Sequence, residues 1–211
     1  MWGRDIIMRK CISISLVGLG IICLAWVGVV SSRGSAFQRE QKQALALSVG
    51  MVEAPVTPPA PVFERLAHQA LVGQLEIARV GLSVMVAEGD DDATLEKAVG
   101  HLPDTVLPWE PGNSALAGHR DTFFRPLRGV RVGDEIRLTS PRGVLVYQVS
   151  ETFITDPSDI GILKARGRNE LTLVTCFPFG FVGNAPKRFI VRAERLDIGA
   201  PRPLPVLAAS R

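Results

Sequence analysis

Three side chains of this sequence have types that can carry out covalent chemistry. Cys176 ends the apolar run LTLVTC, His119 follows the short apolar run SALAG, and Arg188 opens the alternating run RFIVRAER. A thiolate is a nucleophile, an imidazole exchanges protons near neutral pH, and a guanidinium stays charged and can hold a developing oxyanion. Together, these residue types could supply a nucleophile, a base and a group that holds an oxyanion.

Cys176 also admits a structural interpretation. The other two cysteines, Cys11 and Cys23, lie in an apolar N-terminal stretch, so Cys176 has no disulfide partner within its own domain. An unpaired cysteine is more often a small buried apolar residue than a nucleophile. The Pro/Gly loop that begins directly after Cys176 favours a position at the rim of a sheet, and small sites tend to form at such rims.

Two other histidines compete with His119 for the position of the base. His68 lies in the run VFERLAHQALVGQ, where we expect a solvated position on a helix. His101 follows Gly100 at the end of a predicted helix, where we expect contact with the helix dipole. His119 differs from both because it comes off the end of an apolar strand.

Arg188 begins a predicted strand twelve residues after Cys176, so a hairpin would return it to the same rim. Strand alternation puts Arg188, Ile190 and Arg192 on one face. A solvent-exposed arginine is the alternative interpretation, and the sequence leaves both open.

The elements that must position these residues are seven or eight short strands. Apolar or alternating runs between Gly, Pro and Asp turn signals predict strands at 74–80, 82–87, 114–118, 135–140, 143–154, 171–176 and 188–195. One helix is predicted at 92–99, with Asp91 or Asp92 as N-cap and Gly100 at its end. Many short strands with little helix predict an all-β domain, and we favour a closed barrel over a sandwich.

The N-terminal region carries a different signal. Residues 11–30 are uncharged and long enough for a helix of about 30 Å, the thickness of a bilayer core, which predicts a transmembrane helix over 11–32. Arg9 and Lys10 before it predict a single pass through the cell membrane, with residues 1–10 cytoplasmic and the domain extracytoplasmic. A cleaved signal peptide is the alternative, although the apolar stretch is longer than signal peptides usually have.

The remaining segments frame one domain. Residues 33–62 combine a polar, Ala/Gln-rich helix with a Pro-rich linker, a compact domain is expected at 63–198, and 199–211 form a flexible tail. The whole chain has a net charge of +3, but 63–198 hold sixteen Lys/Arg against eighteen Asp/Glu. Because the basic excess lies outside the domain, we do not expect nucleic-acid binding.

The sequence resembles the sortase family, the membrane-anchored cysteine transpeptidases of bacterial surfaces. TLVTC at 172–176 matches the family's TLxTC strand, AGHRDTFF at 117–124 its histidine segment, and APKRFIVRA at 185–193 its arginine strand. The similarity covers about 75–196, and the segments TCFPF and NAPKRFIVRA most resemble those of class D sortases. The resemblance implies an eight-stranded β-barrel with short helices.

The resemblance also implies individual roles. Cys176 would be the nucleophile, His119 the general acid/base, and Arg188 the stabiliser of the substrate and the oxyanion. Thr175 would contact the substrate, and the segment 153–170 would shape the groove for the sorting signal. Three apolar residues of that segment would either contact the substrate or form a satellite core cluster: Ile160, Ile162 and Leu163. No cofactor and no metal are implied.

The implied reaction cleaves an LPxTG- or LPxTA-like sorting signal after Thr through a Cys176 thioacyl intermediate. The implied partners are secreted proteins with a C-terminal sorting signal and an amine acceptor, either of the cell envelope or of a pilin lysine. Two alternatives stay open. One is a hydrolytic cysteine protease that processes surface proteins, and the other is a non-catalytic barrel that binds peptides and leaves Cys176 inert.

Overall fold

The main body of the protein is a closed eight-stranded β-barrel. A computed structural model of the chain describes residues 21, 24, 36–45, 65–181 and 183–196. The strands are β1 (Leu71–Ile77), β2 (Leu82–Glu88), β3 (Val99–His101), β4 (Asn113–Ala117), β5 (Glu135–Ser140), β6 (Gly143–Thr155), β7 (Glu170–Phe177) and β8 (Lys187–Arg195). They close in the order β1-β2-β3-β4-β7-β8-β6-β5. The predicted all-β barrel is therefore confirmed.

Helical structure between 65 and 196 is limited to short pieces. They are the helix Asp92–Leu95 and three 3-10 turns: Ala78–Val80, Arg125–Gly129 and Ile160–Leu163. The side chain of Asp91 accepts hydrogen bonds from the backbone N–H groups of Ala93 and Thr94, so it is the N-cap.

The predicted helix 92–99 is wrong in its second half, because residues 99–101 form β3. This strand pairs in parallel with β2, Val86 opposite Val99, and bridges β2 to β4. A Cβ atom at Gly100 would lie 2.1 Å from the carbonyl oxygen of Gly89, so the pairing requires glycine there. Sheet pairing overrides the local helix signal, and three residues are too few to show strand alternation.

The core fills the inside of the barrel. Leu171 and Leu173 of β7 lie opposite Ala193 and Val191 of β8, and all four are fully buried. Tyr147 of β6 is also buried; its hydroxyl donates to the carbonyl of Pro108 at 2.9 Å, and burial raises its pKa to about 12. Interior side chains of neighbouring strands therefore meet in pairs.

The segment after β4 closes one end of the barrel. Phe124 and Leu127 from this segment are fully buried in the core. Arg79, in the turn between β1 and β2, donates to the carbonyl of Gly129 at 2.6 Å and bonds the buried carboxylate of Asp134. The hydrogen bond from Arg79 holds the pKa of Asp134 below its ordinary value.

This ion pair predicts a pH dependence of stability. Because the pKa of Asp134 is lowered in the folded state, its carboxylate stabilises the fold above an ordinary pKa of about 4, and this stabilisation is lost as the pH falls below about 4. We expect the Tm of the wild type to fall more between about pH 5 and about pH 3 than the Tm of Asp134→Asn, measured by circular dichroism. Glu135→Gln, at an exposed neighbour, should keep the wild-type pH dependence. Equal pH dependence in the wild type and Asp134→Asn would contradict this.

A helix at residues 36–45 contacts the barrel where β2 and β3 diverge. The pairing of these strands begins at Val86, which leaves the N–H of Met85 without a strand partner. The side-chain amide of Gln38 bridges the gap: its Oε1 accepts from Met85 N at 2.6 Å and its Nε2 donates to Lys97 O at 2.7 Å. The helix is therefore joined to the barrel by hydrogen bonds to the backbone of β2 and to the backbone of the turn before β3.

We expect Gln38→Ala to lower the Tm of the full chain by about 3–5 °C, because two hydrogen bonds to the barrel backbone are lost. Differential scanning calorimetry measures this shift. The matched control is Gln43→Ala, at an exposed position of the same helix, which should leave the Tm unchanged. Equal Tm values for the two variants would show that the bridge does not stabilise the barrel.

The other predicted segments fall mainly on parts of the chain that the structure does not describe. Apart from Ile21 and Leu24, the anchor predicted at 11–32 lies outside the described residues, as do the Pro-rich linker and the tail at 199–211. Among the described residues, no helix is both long and apolar enough to cross a bilayer. The domain boundaries stay predictions.

Candidate active site

The nucleophile candidate and the arginine candidate lie directly opposite each other. β7 and β8 are antiparallel, and Cys176 pairs with Arg188 in their register. Directly opposed residues on neighbouring strands have their side chains on the same face of the sheet. The hairpin predicted from the twelve-residue spacing therefore brings the thiol and the guanidinium to one edge of the barrel.

The histidine candidate reaches the same edge from β4. This strand runs parallel to β7, with Ala117 opposite Val174, and just beyond it the N–H of Gly118 donates to Val174 O at 3.2 Å. His119 follows two residues after the last paired residue of β4, where its carbonyl begins a turn by accepting from the N–H groups of Thr122 and Phe124 at 3.4 and 3.0 Å. His119, Cys176 and Arg188 thus come from the ends of three neighbouring strands, and we call them the reactive row.

Thr175 secures the connection between β4 and β7. Its side chain is buried, and its hydroxyl donates to the carbonyl of Gly118 at 2.7 Å. Strand alternation puts it on the opposite face of β7 from Cys176. The structure therefore shows Thr175 holding the residue before His119; its substrate contact stays a prediction.

The three reactive groups have different exposures. Cys176 is a half-buried free thiol, His119 is exposed, and Arg188 is half-buried. Nη1 of Arg188 donates to the carbonyls of Ala185 and Lys187, at 3.3 and 3.1 Å, whereas its Nη2 and Nε bond no described residue. Two faces of the guanidinium are therefore free to bind a substrate oxygen beside the thiol.

Aromatic rings stabilise the end of β7. The ring centroids of Phe177, Phe179 and Phe189 lie 5.4–6.4 Å apart in edge-on and stacked pairs. Phe179 and Phe189 also pack against the core. The backbone that carries Cys176 is thus held by apolar contacts on both sides of the hairpin.

Arg120, the neighbour of His119, holds the loop between β7 and β8. It is buried, and its Nη2 donates to the carbonyls of Phe181 and Gly183 at 2.6 and 3.0 Å. Its Nε lies 3.5 Å from the carboxylate of Asp121. No role was predicted for Arg120 from the sequence, in which its position next to the candidate base His119 is the available signal.

The apolar residues predicted to line the groove divide in two. Ile160 is 73% exposed, whereas Ile162 is buried and Leu163 is half-buried. Asp159 caps their 3-10 turn by accepting from Gly161 N at 3.0 Å. Ile160 is therefore available to a ligand, while Ile162 packs against the barrel as in the core-cluster alternative.

The barrel sequence matches the model of a known protein family. Residues 75–196 match the family model described as Sortase domain, more than half of the chain. The chain belongs to the sortase family. The family predicted from the three motifs is confirmed.

Individual relatives agree with the likeness to class D sortases. Sortase D of Bacillus subtilis is 42% identical over 125 residues, which are 59% of this chain and 63% of that protein. Sortase A of Listeria monocytogenes is 32% identical over 112 residues, 51% of this chain and 50% of that protein. The chain thus spans less than two thirds of the length of these curated relatives.

Solved structures show the same fold. A Clostridium perfringens Sortase D5 transpeptidase superposes with a TM-score of 0.61 at 27% identity, over 78% of this chain and 99% of that structure. The barrel described above is therefore a sortase barrel.

The other two histidines, His101 and His68, each bond a carboxylate of the fold. The expectation that His101 contacts a helix end is wrong, because it is buried in β3. Its Nδ1 lies 2.7 Å from Glu88 Oε2 and its Nε2 3.0 Å from Val106 O. His68 is exposed as expected, but it lies in a turn instead of a helix, and its hydrogen bond lowers the pKa of Asp91.

The described residues around the reactive row do not include a cluster of metal ligands. Among the residues that the structure describes, no three His, Cys, Asp or Glu side chains come together as a metal site.

Proposed function

We propose that this sortase is a membrane-anchored cysteine transpeptidase. It cleaves an LPxTG- or LPxTA-like sorting signal after Thr and transfers the carboxyl group of Thr to an amine. The observation that carries the proposal is the pairing of Cys176 with Arg188 on β7 and β8, together with the pairing of Ala117, two residues before His119, with Val174, two residues before Cys176. Cysteine, histidine and arginine are the three residue types that acyl transfer through a thioester requires.

The chemistry divides into two halves. Sγ of Cys176 attacks the carbonyl carbon of Thr, the oxygen becomes negatively charged beside Arg188, and the C–N bond breaks as His119, as imidazolium, gives a proton to the leaving amine. An acceptor amine then attacks the thioester and loses a proton to His119. The C–S bond breaks and the thiolate is restored.

The face of β7 that carries Cys176 is only partly accessible. On this face Val174 and Cys176 are half-buried, whereas Thr172 is fully buried, and the buried Ile162 lies at the Thr172 end, where its carbonyl bonds Asn113 of β4. The part of this face that a peptide could contact therefore lies at Val174 and Cys176, beside the turn Ile160–Leu163.

The location and partners form part of the same proposal. The apolar stretch at 11–30 and the basic residues before it support a single-pass anchor with an extracytoplasmic barrel. The substrates are then secreted proteins with a C-terminal sorting signal. The acceptor is an amine of the cell envelope or a pilin lysine.

The decisive experiment traps the thioacyl adduct. The full chain in detergent is incubated with a library of fluorogenic LPxTG and LPxTA peptides, and the Cys176 adduct is identified by mass spectrometry. We expect an adduct that ends at Thr, since the thiolate attacks that carbonyl, and triglycine should convert it to a ligated product.

Cys176→Ala is the control and should give no adduct. An adduct that yields only the free acid at every triglycine concentration favours the hydrolytic protease. If no peptide forms an adduct, and a thiol-reactive probe labels the wild type and Cys176→Ala equally, the non-catalytic peptide-binding barrel is favoured.

The roles of the two cationic residues are tested by substitution. We expect His119→Ala and Arg188→Ala each to lower kcat/KM for the same peptides by about 10²–10⁴-fold, because proton transfer or oxyanion stabilisation is lost. His68→Ala, which removes an exposed histidine, is the matched control and should keep wild-type activity. If a His119 or Arg188 variant folds and keeps most of the wild-type activity, the substituted residue has no catalytic role.

A further inference from the structure

Buried polar contacts hold the segment between β6 and β7 against the barrel. The carbonyl oxygen of Ile162, in the 3-10 turn of this segment, accepts two hydrogen bonds. Nδ2 of Asn113 on β4 donates one at 3.1 Å, and Nη2 of Arg192 on β8 donates the other at 3.1 Å. Both donors are buried, with 3% and 5% of their surface exposed. Two strands of the barrel thus hold a single backbone atom of the segment.

Each donor is oriented by a further strand. Oδ1 of Asn113 accepts from the hydroxyl of Thr172 on β7 at 2.7 Å. Nη1 of Arg192 donates to Glu151 of β6 at 2.5 Å. Because both side chains are held on their far sides, their donor groups stay directed at Ile162.

The segment has a second attachment through Arg166. Its guanidinium bonds Glu151 at 2.9 Å and Glu170, whose side chain is fully buried, at 2.8 Å. Arg192 is the first cause of the lowered pKa of Glu151, and Arg166 is a further cause. The carboxylate therefore stays ionised between two cations, one from the barrel and one from the segment.

This network lies at a defined distance from the reactive row. Arg192 follows Arg188 by four residues on the same face of β8, and it pairs with Thr172 as Arg188 pairs with Cys176. The network and the thiol are thus about 13 Å apart along the strands. The turn held by the network lies at one end of the surface on which a substrate peptide would lie.

We infer that Arg192 and Asn113 are positioning residues that hold the turn Ile160–Leu163 as a preformed wall of the peptide groove. This inference rests on the proposed function, since it assigns the wall to the groove for the sorting signal. A preformed wall removes the entropy loss of ordering the segment when the peptide binds. Loss of either residue weakens peptide binding and leaves the reactivity of the thiol unchanged.

The attachment of the segment to the barrel by Arg192 and Asn113 is tested without any substrate. The segment carries three exposed trypsin sites, after Lys164, Arg166 and Arg168. We expect Arg192→Met and Asn113→Leu in the full chain to be cut there at least about tenfold faster than the wild type, because proteolysis follows local opening. Mass spectrometry assigns the cleavage sites, and thermal unfolding verifies that the barrel is folded.

The matched control carries the same substitution on the same strand. Arg195 lies on the opposite face of β8 and its side chain does not bond the segment, so Arg195→Met should be cut at the wild-type rate. Arg192→Lys keeps the charge but not the planar fork that bonds two groups at once, and we expect an intermediate rate. If Arg192→Met does not fold, Glu151→Ala, which shortens a side chain 42% exposed, replaces it.

The groove is tested by kinetics with the fluorogenic peptides LPETG and LPETA. In Arg192→Met we expect KM to rise about tenfold with kcat within about threefold, the pattern of lost uniform binding. The rate of Cys176 alkylation by iodoacetamide should be unchanged.

Each other result overturns part of the inference. If both folded variants are cut by trypsin at the wild-type rate, Arg192 and Asn113 do not hold the segment. If tryptic cleavage is faster but KM is unchanged, the segment does not form part of the groove. If Tm, the alkylation rate and kcat all fall together, the network has only a structural role. If the wild type cleaves no LPxTG or LPxTA peptide of the library, the proposed function fails, while the tryptic experiment still decides whether Arg192 and Asn113 hold the segment.

Discussion

The candidate site depends on the hydrogen bonding of β7 to two different neighbours. Parallel pairing with β4 and antiparallel pairing with β8 leave no freedom of register, because a slip by one residue would turn Cys176 into the barrel. The buried Leu171 and Leu173 oppose such a slip, since they would be moved out of the core. Core packing thus determines the positions of the reactive side chains, which themselves contribute little to it.

Two buried arginines extend this arrangement to the loops on either side of the thiol. Arg120 donates to carbonyls of the loop after β7, and Arg192 donates to a carbonyl of the segment before β7. A buried guanidinium is costly to desolvate unless its nitrogens are bonded. Arg192 bonds Glu151, whereas Arg120 lies 3.5 Å from the exposed carboxylate of Asp121 and keeps its Nε and Nη1 without a hydrogen bond. A carbonyl held by such a cation has few alternative conformations, so the carbonyls that these arginines bond are fixed to the barrel.

The sequence predicted most of the strands because alternation and turn residues are local signals. β5 was predicted at its observed bounds and β6 to within a residue, whereas β3 was missed because its three residues form a strand only through β2 and β4. The alternation of β8 placed Arg188 and Arg192 on one face. It did not show that Arg192 is buried, because that burial comes from a segment thirty residues earlier in the chain.

The amide of Gln38 lies at the place where the barrel ladder is interrupted. A sheet edge with unpaired backbone groups is a template for a strand of another molecule, and a closed barrel normally presents no such edge. Here the gap between Met85 and Lys97 is covered by a side chain from a helix outside the barrel. The helix at 36–45 therefore covers a backbone N–H of β2 and a backbone carbonyl before β3, and a strand of another molecule could pair here only after displacing Gln38.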